Sequence, residues 1–217
     1  MEDKQLIGGR YRLIALLGVG GMGETYRAWD TVAGIPVVVK MPKRDRLNDE
    51  EVIARFRREI EAMRSLEHEA IVPIIDFGEQ DGRPFVAMRF LPGGSLGDYR
   101  RRDEAGTLVK NPPGMLHFWL PGVAKALDHI HGWGVLHRDV KPTNIFLDGA
   151  CHPFLGDFGI AKVVEDAAGP AKEQTLTATG TTVGTPEYMA PEMFRPKGKP
   201  DGRIDQYSLA VTVYEML

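Results

Sequence analysis

An acid, a base and an amide lie close together in the segment GVLHRDVKPTNIFLDG, residues 134–149. Asp139, Lys141 and Asn144 fall within six residues, and apolar runs that resemble short strands flank them. A carboxylate can accept a proton, a lysine can stabilise negative charge, and an amide oxygen can bind a metal ion. The segment therefore predicts a chemical site on a loop that two strands hold in place.

A second candidate site is the glycine-rich sequence GVGGMG, in which Gly18, Gly20 and Gly23 have the spacing G-x-G-x-x-G. Glycines allow backbone N–H groups to approach phosphate oxygens without a clash from a Cβ atom. The same spacing opens dinucleotide-binding folds, in which a helix follows. Here a turn at residues 33–34 and Pro36 come too soon for that helix. A phosphate-binding hairpin is therefore favoured over a dinucleotide-dependent oxidoreductase.

A predicted helix over residues 48–68 carries a carboxylate on its apolar face. Glu59 lies three residues after Phe56 and four before Met63, so it shares a face with them. An inward-facing carboxylate needs a cation, and Lys40 in the predicted strand VVVK is the obvious partner. The sequence thus predicts an ion pair between this strand and this helix.

The elements divide the chain into two parts. Up to about residue 90 the pattern predicts a mostly antiparallel sheet with one helix, including strands over 70–78 and 83–91. The remainder is mainly helical, with a helix over 115–134 that Pro121-Gly122 should kink or divide. The fold class is α+β.

Bulk composition limits the classes of function. The chain has 217 residues and a formal net charge of -3, which implies no general attraction to nucleic acid or membrane. Cys151 is the sole cysteine, so an intramolecular disulfide is impossible and a reducing compartment is expected. No apolar run of about 18 residues is present, and the first residues lack a signal-peptide core. We therefore expect a cytoplasmic domain.

Taken together, the motifs resemble the eukaryotic-type (Hanks-type) protein kinase family, and most closely its bacterial serine/threonine members. The resemblance extends over residues 10–217. Its motifs, in order, are GVGGMGETY, VVVK, the helix with Glu59, HRDVKPTN, GDFG, GTPEYMAPE and DQYSLA. It implies a bilobal protein kinase domain over residues 1–217, with an antiparallel N-lobe at 10–90 and a mainly helical, partial C-lobe at 91–217.

The resemblance assigns chemical roles to the polar segment. Asp139 would orient the substrate hydroxyl and accept its proton, and Lys141 would place positive charge on the γ-phosphoryl group. Asn144 and Asp157 would hold Mg²⁺. Thr185 would form hydrogen bonds toward Asp139 and Lys141, which is the pattern of kinases that act on serine and threonine.

ATP would be bound by residues of both predicted lobes. The resemblance implies this set: Gly18, Gly20, Gly23, Thr25, Val38, Lys40, Glu59, Met88, Arg89, Leu91, Phe146 and Asp157. Met88 would be the gatekeeper, while Arg89 and Leu91 would offer backbone groups to adenine. Three of the residues expected around adenine depart from the commonest family residues, because Thr25 replaces Val, Val38 replaces Ala and Phe146 replaces Leu.

Regulation is implied by the arginine next to the catalytic acid. Arg138 would receive a phosphate carried by the activation loop, which could order that loop. Thr177 and Thr179 match the usual positions best, and Thr175, Thr181 and Thr182 remain alternatives. A dimer could support this autophosphorylation.

The predicted activity is transfer of the ATP γ-phosphoryl group to serine or threonine hydroxyls of proteins. The alternative is a pseudokinase or inactive fragment that acts as a binding scaffold. We expect no contact with nucleic acid or membrane within this segment, although the parent protein could be membrane-anchored. Because the kinase C-lobe would continue beyond Leu217, we also expect a marginally folded, poorly active polypeptide.

Overall fold

A computed structural model describes residues 6–20, 23–42, 60, 61, 63–100, 111–157, 185–194 and 200–217. These residues fall into two compact units. The first contains the described residues up to Ser65 together with Pro73–Phe90. The second contains Leu66–Val72 and the described residues from Leu91 onward.

The first unit is a six-stranded antiparallel sheet with the strand order β1-β2-β3-β4-β6-β5. Its strands are β1 (Leu6–Ile7), β2 (Tyr11–Gly20), β3 (Gly23–Asp30), β4 (Ile35–Pro42), β5 (Ile74–Gln80) and β6 (Arg83–Arg89). The sequence pattern had not indicated β1, because two residues are too short a run to show alternation. The other five strands correspond to the strand patterns of the sequence at residues 9–18, 23–31, 35–43, 70–78 and 83–91.

One face of this sheet forms the core of the unit. The strands alternate their side chains, so every second residue of β4 points the same way. The buried cluster on that face contains Ile7, Tyr11, Ala28, Val37, Val39, Met41, Phe85 and Ala87. Burial of this apolar set is the main free-energy term that fixes the register of the strands.

The second unit is built from two helices, a short hairpin and several single turns. The helices are α1 (Leu116–Gly132) and α2 (Arg203–Met216), and the hairpin strands are β7 (Ile145–Leu147) and β8 (Pro153–Leu155). Single turns of 3-10 helix lie at Leu96–Tyr99, Pro113–Met115, Pro142–Asn144, Pro186–Tyr188 and Pro191–Phe194. The buried residues of α1 are Trp119, Val123, Ala126, Leu127 and Ile130, which form one helical stripe. Within the described ranges, no helix combines the length and the apolar composition needed to cross a lipid bilayer.

The expected division of the helix at Pro121-Gly122 is wrong, because α1 runs without interruption through both residues. Pro121 lies in the second turn, so it removes a single backbone hydrogen bond near the start of the helix. Gly122 lies where α1 packs on β8: a Cβ added there would be 2.9 Å from Cγ of Pro153. Packing of the apolar face outweighs the poor helix propensity of the pair.

The predicted strand over 70–78 begins later than expected, at the first residue of β5. Pro73 has no backbone N–H for a sheet ladder. The residues before it pair elsewhere: Ile71 forms an isolated parallel bridge with Leu155 in the second unit. The apolar run at residues 70–78 therefore contributes residues to both compact units.

The sequence pattern predicts helices over residues 95–102 and 48–68, and the structure describes both in part. The segment SLGDYRRR forms a 3-10 turn at Leu96–Tyr99, where the Asp98 carboxylate accepts hydrogen bonds from the backbone N–H (2.7 Å) and the hydroxyl (2.8 Å) of Ser95. Residues 101–110 lie outside the described set. Of the predicted helix at 48–68, residues 60, 61, 63 and 64 are described as helical.

Candidate active site

The loop between α1 and β7 brings an acid, a cation and an amide together. Nζ of Lys141 lies 2.8 Å from Oδ2 of Asp139. The side-chain nitrogen of Asn144 donates to the same oxygen and to the main-chain oxygen of Asp139, both at 2.8 Å. Because the Asn144 amide nitrogen is used in this way, its oxygen is the atom suited to a metal ion.

Thr185 joins this group from a distant part of the chain. Its hydroxyl accepts a hydrogen bond from Nζ of Lys141 at 2.7 Å and donates to Oδ1 of Asp139 at 3.4 Å. The acid, the lysine and the hydroxyl therefore form a closed ring of contacts, which holds both charged side chains in one arrangement.

The pairing of β7 with β8 brings the backbone segments of the two candidate metal ligands, Asn144 and Asp157, close to each other. Ile145 pairs with Leu155, and the N–H of Gly156 donates to the main-chain oxygen of Asn144 at 2.9 Å. Asp157 follows directly, with a left-handed φ of 60°. One amide oxygen and one carboxylate fit Mg²⁺, which takes few protein ligands and completes its shell with water and phosphate. Among the described residues, no three His, Cys, Asp or Glu side chains form a metal-binding group.

A buried aspartate on α2 holds the backbone of the loop between α1 and β7. Asp205 is fully buried, and its carboxylate accepts the N–H groups of His137 at 2.8 Å and Arg138 at 2.7 Å. Nε2 of His131 lies 2.8 Å from the same carboxylate. The N–H contacts also fix Arg138 in a left-handed conformation with a φ of 65°, which is uncommon for a residue with a Cβ.

His137 is buried in its neutral form. Its Nδ1 accepts the N–H of Asp139 at 3.3 Å, so its Nε2 carries the proton and donates to the Gly156 carbonyl at 2.9 Å. Desolvation lowers the pKa of His137, although the nearby Asp205 carboxylate acts in the opposite direction. His137 therefore joins the loop between α1 and β7 to the segment that carries Asp157.

In the first unit, one face of the sheet carries the side chains that we expect to bind nucleotide. Thr25 pairs with Lys40, and Val38 pairs with Met88. Directly opposed residues share a face, so these residues lie on one surface, namely Thr25, Val38, Lys40 and Met88. The valines between them, Val37 and Val39, are fully buried on the other face. The alternation of β4 thus separates core residues from candidate site residues.

The glycine spacing corresponds to the end of the β2–β3 hairpin. Gly18 pairs with Thr25 and Gly20 pairs with Gly23, while residues 21–22 between the strands lie outside the described set. A Cβ at Gly23 would overlap the carbonyl oxygen of Met41. That position therefore requires glycine for close contact with β4.

Of the other residues predicted to bind nucleotide, Arg89 belongs to the first unit, and Leu91 and Phe146 belong to the second. The N–H of Arg89 donates to the Pro73 carbonyl at 3.1 Å, so a contact from Arg89 to a base would have to use its carbonyl. In the second unit Leu91 is buried, and the ring of Phe146 packs at Gly156, where an added Cβ would lie 2.9 Å from it. Glu59, Thr177 and Thr179 lie outside the described residues.

Sequence reasoning did not identify several residues that support the candidate site indirectly, through contacts with other residues. His131 is one of several polar residues on its helix. Because it is far from Asp205 in the sequence, no local pattern indicates that the two side chains interact. The loop after Thr185 is held by Tyr188, whose hydroxyl donates to Glu215, and Glu215 forms an ion pair with Arg100 at 2.6 Å. These pairs are separated by 27 to 115 positions, so periodicity could not reveal them.

Comparisons with known sequences agree with the geometry. Residues 11–217 match the family described as Protein kinase domain. The chain is 37% identical over 221 residues to the DNA damage-responsive serine/threonine-protein kinase RqkA of Deinococcus radiodurans, an alignment that covers 97% of this chain and 30% of that protein. It is 40% identical over 209 residues to serine/threonine-protein kinase PknH of Mycobacterium bovis, covering 96% of this chain and 33% of that protein. The chain spans about a third of the length of these curated relatives.

A solved structure shows the same fold. The crystal structure of the PknI kinase domain of Mycobacterium tuberculosis matches with a TM-score of 0.70 and 29% identity, and the match covers 100% of this chain and 75% of that chain. The predicted protein-kinase fold and the predicted resemblance to bacterial members are thereby confirmed. The chain belongs to the protein kinase domain family.

Proposed function

We propose that this chain transfers the γ-phosphoryl group of ATP to serine or threonine hydroxyls of proteins. The observation that supports this proposal best is the ring of contacts among Asp139, Lys141 and Thr185, with Asn144 bonded to the same carboxylate. Phosphoryl transfer depends mainly on positioning and on electrostatic stabilisation. A rigid arrangement of an acid, a cation and a metal ligand supplies both.

In this proposal Asp139 orients the hydroxyl of the protein substrate and accepts its proton as the oxygen attacks the γ-phosphorus. Lys141 lies 2.8 Å from Asp139 and supplies positive charge next to the group being transferred. Thr185 lies on a later loop of the chain, and its hydroxyl holds both side chains in place. The same hydroxyl contact favours serine and threonine as the acceptor residues.

In this proposal the residues implied by the family resemblance bind the nucleotide. Lys40, with Glu59 as its partner, binds the α- and β-phosphates, and the backbone at Gly18, Gly20 and Gly23 binds phosphate oxygens. Asn144 and Asp157 hold Mg²⁺, which neutralises phosphate charge when it is bound. Met88, Arg89 and Leu91 adjoin the base, together with Thr25, Val38 and Phe146.

The decisive experiment measures phosphate transfer from ATP with Mg²⁺ to casein and to the chain itself. Asp139→Asn keeps the shape of the side chain but removes its negative charge and the proton acceptor. We expect the transfer rate to fall about 10²- to 10⁴-fold while the melting temperature stays within a few degrees. Equal rates for the wild type and Asp139→Asn would show that the phosphate transfer does not come from this site.

A scaffold function is the second candidate, and the changed residues Thr25, Val38 and Phe146 favour it. Val38 and Thr25 lie on the surface of the sheet that carries Lys40, where extra bulk and a hydroxyl would reshape a base-binding slot. Absence of nucleotide binding and of phosphate transfer in the wild type would favour this alternative.

Autophosphorylation belongs to the leading proposal. Arg138 would pair with a phosphate on Thr177 or Thr179, and Nε of Arg138 is buried without a hydrogen-bond partner among the described residues. Transfer between two copies in a transient dimer would deliver that phosphate. Mass spectrometry after incubation with ATP and Mg²⁺ should find phosphate within residues 175–182, and its absence there would contradict the idea.

A further inference from the structure

Arg83 lies at the start of β6, directly after a tight turn of the β5–β6 hairpin. The two turn residues, Asp81 and Gly82, both have positive φ values, 53° and 71°. This is the geometry of a type I′ turn, whose twist matches that of antiparallel strands. The turn closes with Gln80 paired to Arg83. The backbone of Arg83 is therefore fixed by local sequence.

The guanidinium of Arg83 contacts two other strands at once. Its Nε donates to the Pro42 carbonyl at 2.7 Å, and one terminal nitrogen donates to the Met41 carbonyl at 3.0 Å. The same nitrogen lies 2.7 Å from Oε2 of Glu24. The Arg83 side chain is 16% exposed, so these charge-assisted bonds are partly shielded from water. Arg83 thus joins the end of β4 to the start of β3.

These contacts lie at the base of the glycine hairpin. Glu24 directly follows Gly23, and Gly23 packs so closely on Met41 that an added Cβ would overlap the Met41 carbonyl oxygen. Arg83 holds that same carbonyl. Lys40 immediately precedes Met41 and pairs with Thr25. One guanidinium therefore fixes the third glycine against the strand that carries Lys40.

Tyr26 shows that the Glu24 carboxylate is confined. Burial is the main cause that raises the pKa of Tyr26, and the charge and hydrogen bond of Glu24 raise it further. The carboxylate therefore lies within reach of both Tyr26 and Arg83. Two neighbours restrict its rotation, which favours its ion pair with Arg83.

We propose that Arg83 and Glu24 are positioning residues for ATP, because they fix the glycine hairpin relative to Lys40. This inference rests on the proposed kinase function. A glycine-rich hairpin loses much conformational entropy when it closes on phosphates, and a preformed base reduces that cost. Loss of the ion pair should therefore weaken nucleotide affinity, while the rate constant of the bound complex changes little.

The test combines binding and kinetics. Glu24→Gln keeps the size of the side chain but removes its charge, and Arg83→Lys keeps the charge but cannot reach a carboxylate and two carbonyls together. For both variants we expect the Kd for ADP with Mg²⁺, measured by calorimetry, and the KM for ATP to rise about 5- to 10-fold. The value of kcat should stay within about twofold. Arg12→Gln, which removes an exposed arginine from β2, should match the wild type.

The outcomes separate this inference from the proposed function. If the wild type binds ADP and Glu24→Gln binds it equally well, the inference fails and the kinase proposal stands, even if the melting temperature falls. If the wild type binds no nucleotide, both fail. Should Arg83→Lys not fold, Glu24→Gln decides the question alone, because Glu24 is partly exposed and tolerates an amide of the same shape.

Discussion

At the scale of single residues, Thr185 shows how a hydroxyl can hold two charged groups in place. Lys141 could form an ion pair with Asp139 in many rotamers, because its stem has four rotatable bonds. The Thr185 hydroxyl receives the Lys141 hydrogen bond and returns one to Asp139, which selects one arrangement. The neutral hydroxyl of Thr185 therefore sets the position of the Lys141 ammonium group.

Thr185→Val should lower the rate of phosphate transfer without unfolding the chain. Valine has nearly the same shape but no hydroxyl, so both hydrogen bonds to charged partners disappear. We expect kcat to fall about 10- to 100-fold, which corresponds to ~1.4–2.8 kcal/mol. Thr185→Ser, measured in the same transfer assay, should recover most of the activity. A Ser variant as slow as the Val variant would contradict the role of the hydroxyl.

His137 should make the stability depend on pH. Its pKa is lowered in the folded chain by burial, so the unfolded chain binds a proton more readily as the pH falls below about 6.5. The unfolded state then binds more protons, and stability decreases from pH 7 toward pH 5. His68, whose pKa is lowered mainly by burial, acts in the same direction. The slope for one proton is at most about 1.4 kcal/mol per pH unit.

Urea unfolding at pH 7, 6 and 5 measures this dependence. His137→Gln removes the titrating group, so its free energy of unfolding should change less over that range, even if it is lower at every pH. Identical pH slopes for the two proteins would show that His137 is not protonated preferentially in the unfolded chain.

At the scale of elements, α2 is a helix whose buried face is partly polar. Its buried residues include Ile204, Asp205, Ser208, Thr212 and Met216. Ser208 donates to the Tyr188 carbonyl at 2.7 Å, and Asp205 accepts two N–H groups of the loop between α1 and β7. Helix α2 therefore binds both the loop that contains His137 and Arg138 and the turn that contains Tyr188. A purely apolar face could pack there but could not satisfy those backbone groups.

Asp205→Ala should destabilise the second unit strongly. The change leaves the N–H groups of His137 and Arg138 buried without an acceptor, at about 1–3 kcal/mol each. Asp128→Ala is the matched control, because Asp128 is an exposed acid on α1 and should change stability by about 0.5 kcal/mol or less. Urea unfolding of both variants measures the difference. Equal stabilities would mean that water replaces the carboxylate.

At the scale of the whole molecule, the proposed nucleotide ligands are divided between two compact units. Lys40 belongs to the first unit, and Asn144 and Asp157 belong to the second. A ligand that binds the folded chain stabilises it, by about 2.7 kcal/mol at a concentration 100 times its Kd. Nucleotide should therefore raise the unfolding temperature.

Thermal unfolding with and without ATP and Mg²⁺ tests whether Lys40 and Asp157 contribute to binding. Lys40→Met and Asp157→Asn should each remove most of the temperature increase seen for the wild type. Asp157→Asn should also abolish the additional effect of Mg²⁺ over ATP alone. A full increase in either variant would show that the changed residue takes no part in binding.

The sequence by itself determined the family, the strands and the polar loop. Strong alternation in β4 separates Val37 and Val39 from Lys40, and such period-2 patterns depend on local sequence alone. The short spacing of Asp139, Lys141 and Asn144 likewise guarantees that they lie close together. Motif order then identified the protein kinase family, which the comparisons confirmed.

The tertiary structure alone decided which distant residues complete these local patterns. Arg83 reaches Glu24 across 59 positions of sequence, and His131 reaches Asp205 across 74 positions. The continuity of α1 through Pro121 was also a tertiary effect. Local propensity is a sum of small terms near one residue, whereas burial and packing between elements contribute more and depend on the complete fold. For that reason the chemical groups could be predicted from sequence, and the family resemblance also implied the supporting roles of Thr185 and Asp205, but supporting residues such as Arg83 and His131 could not be predicted.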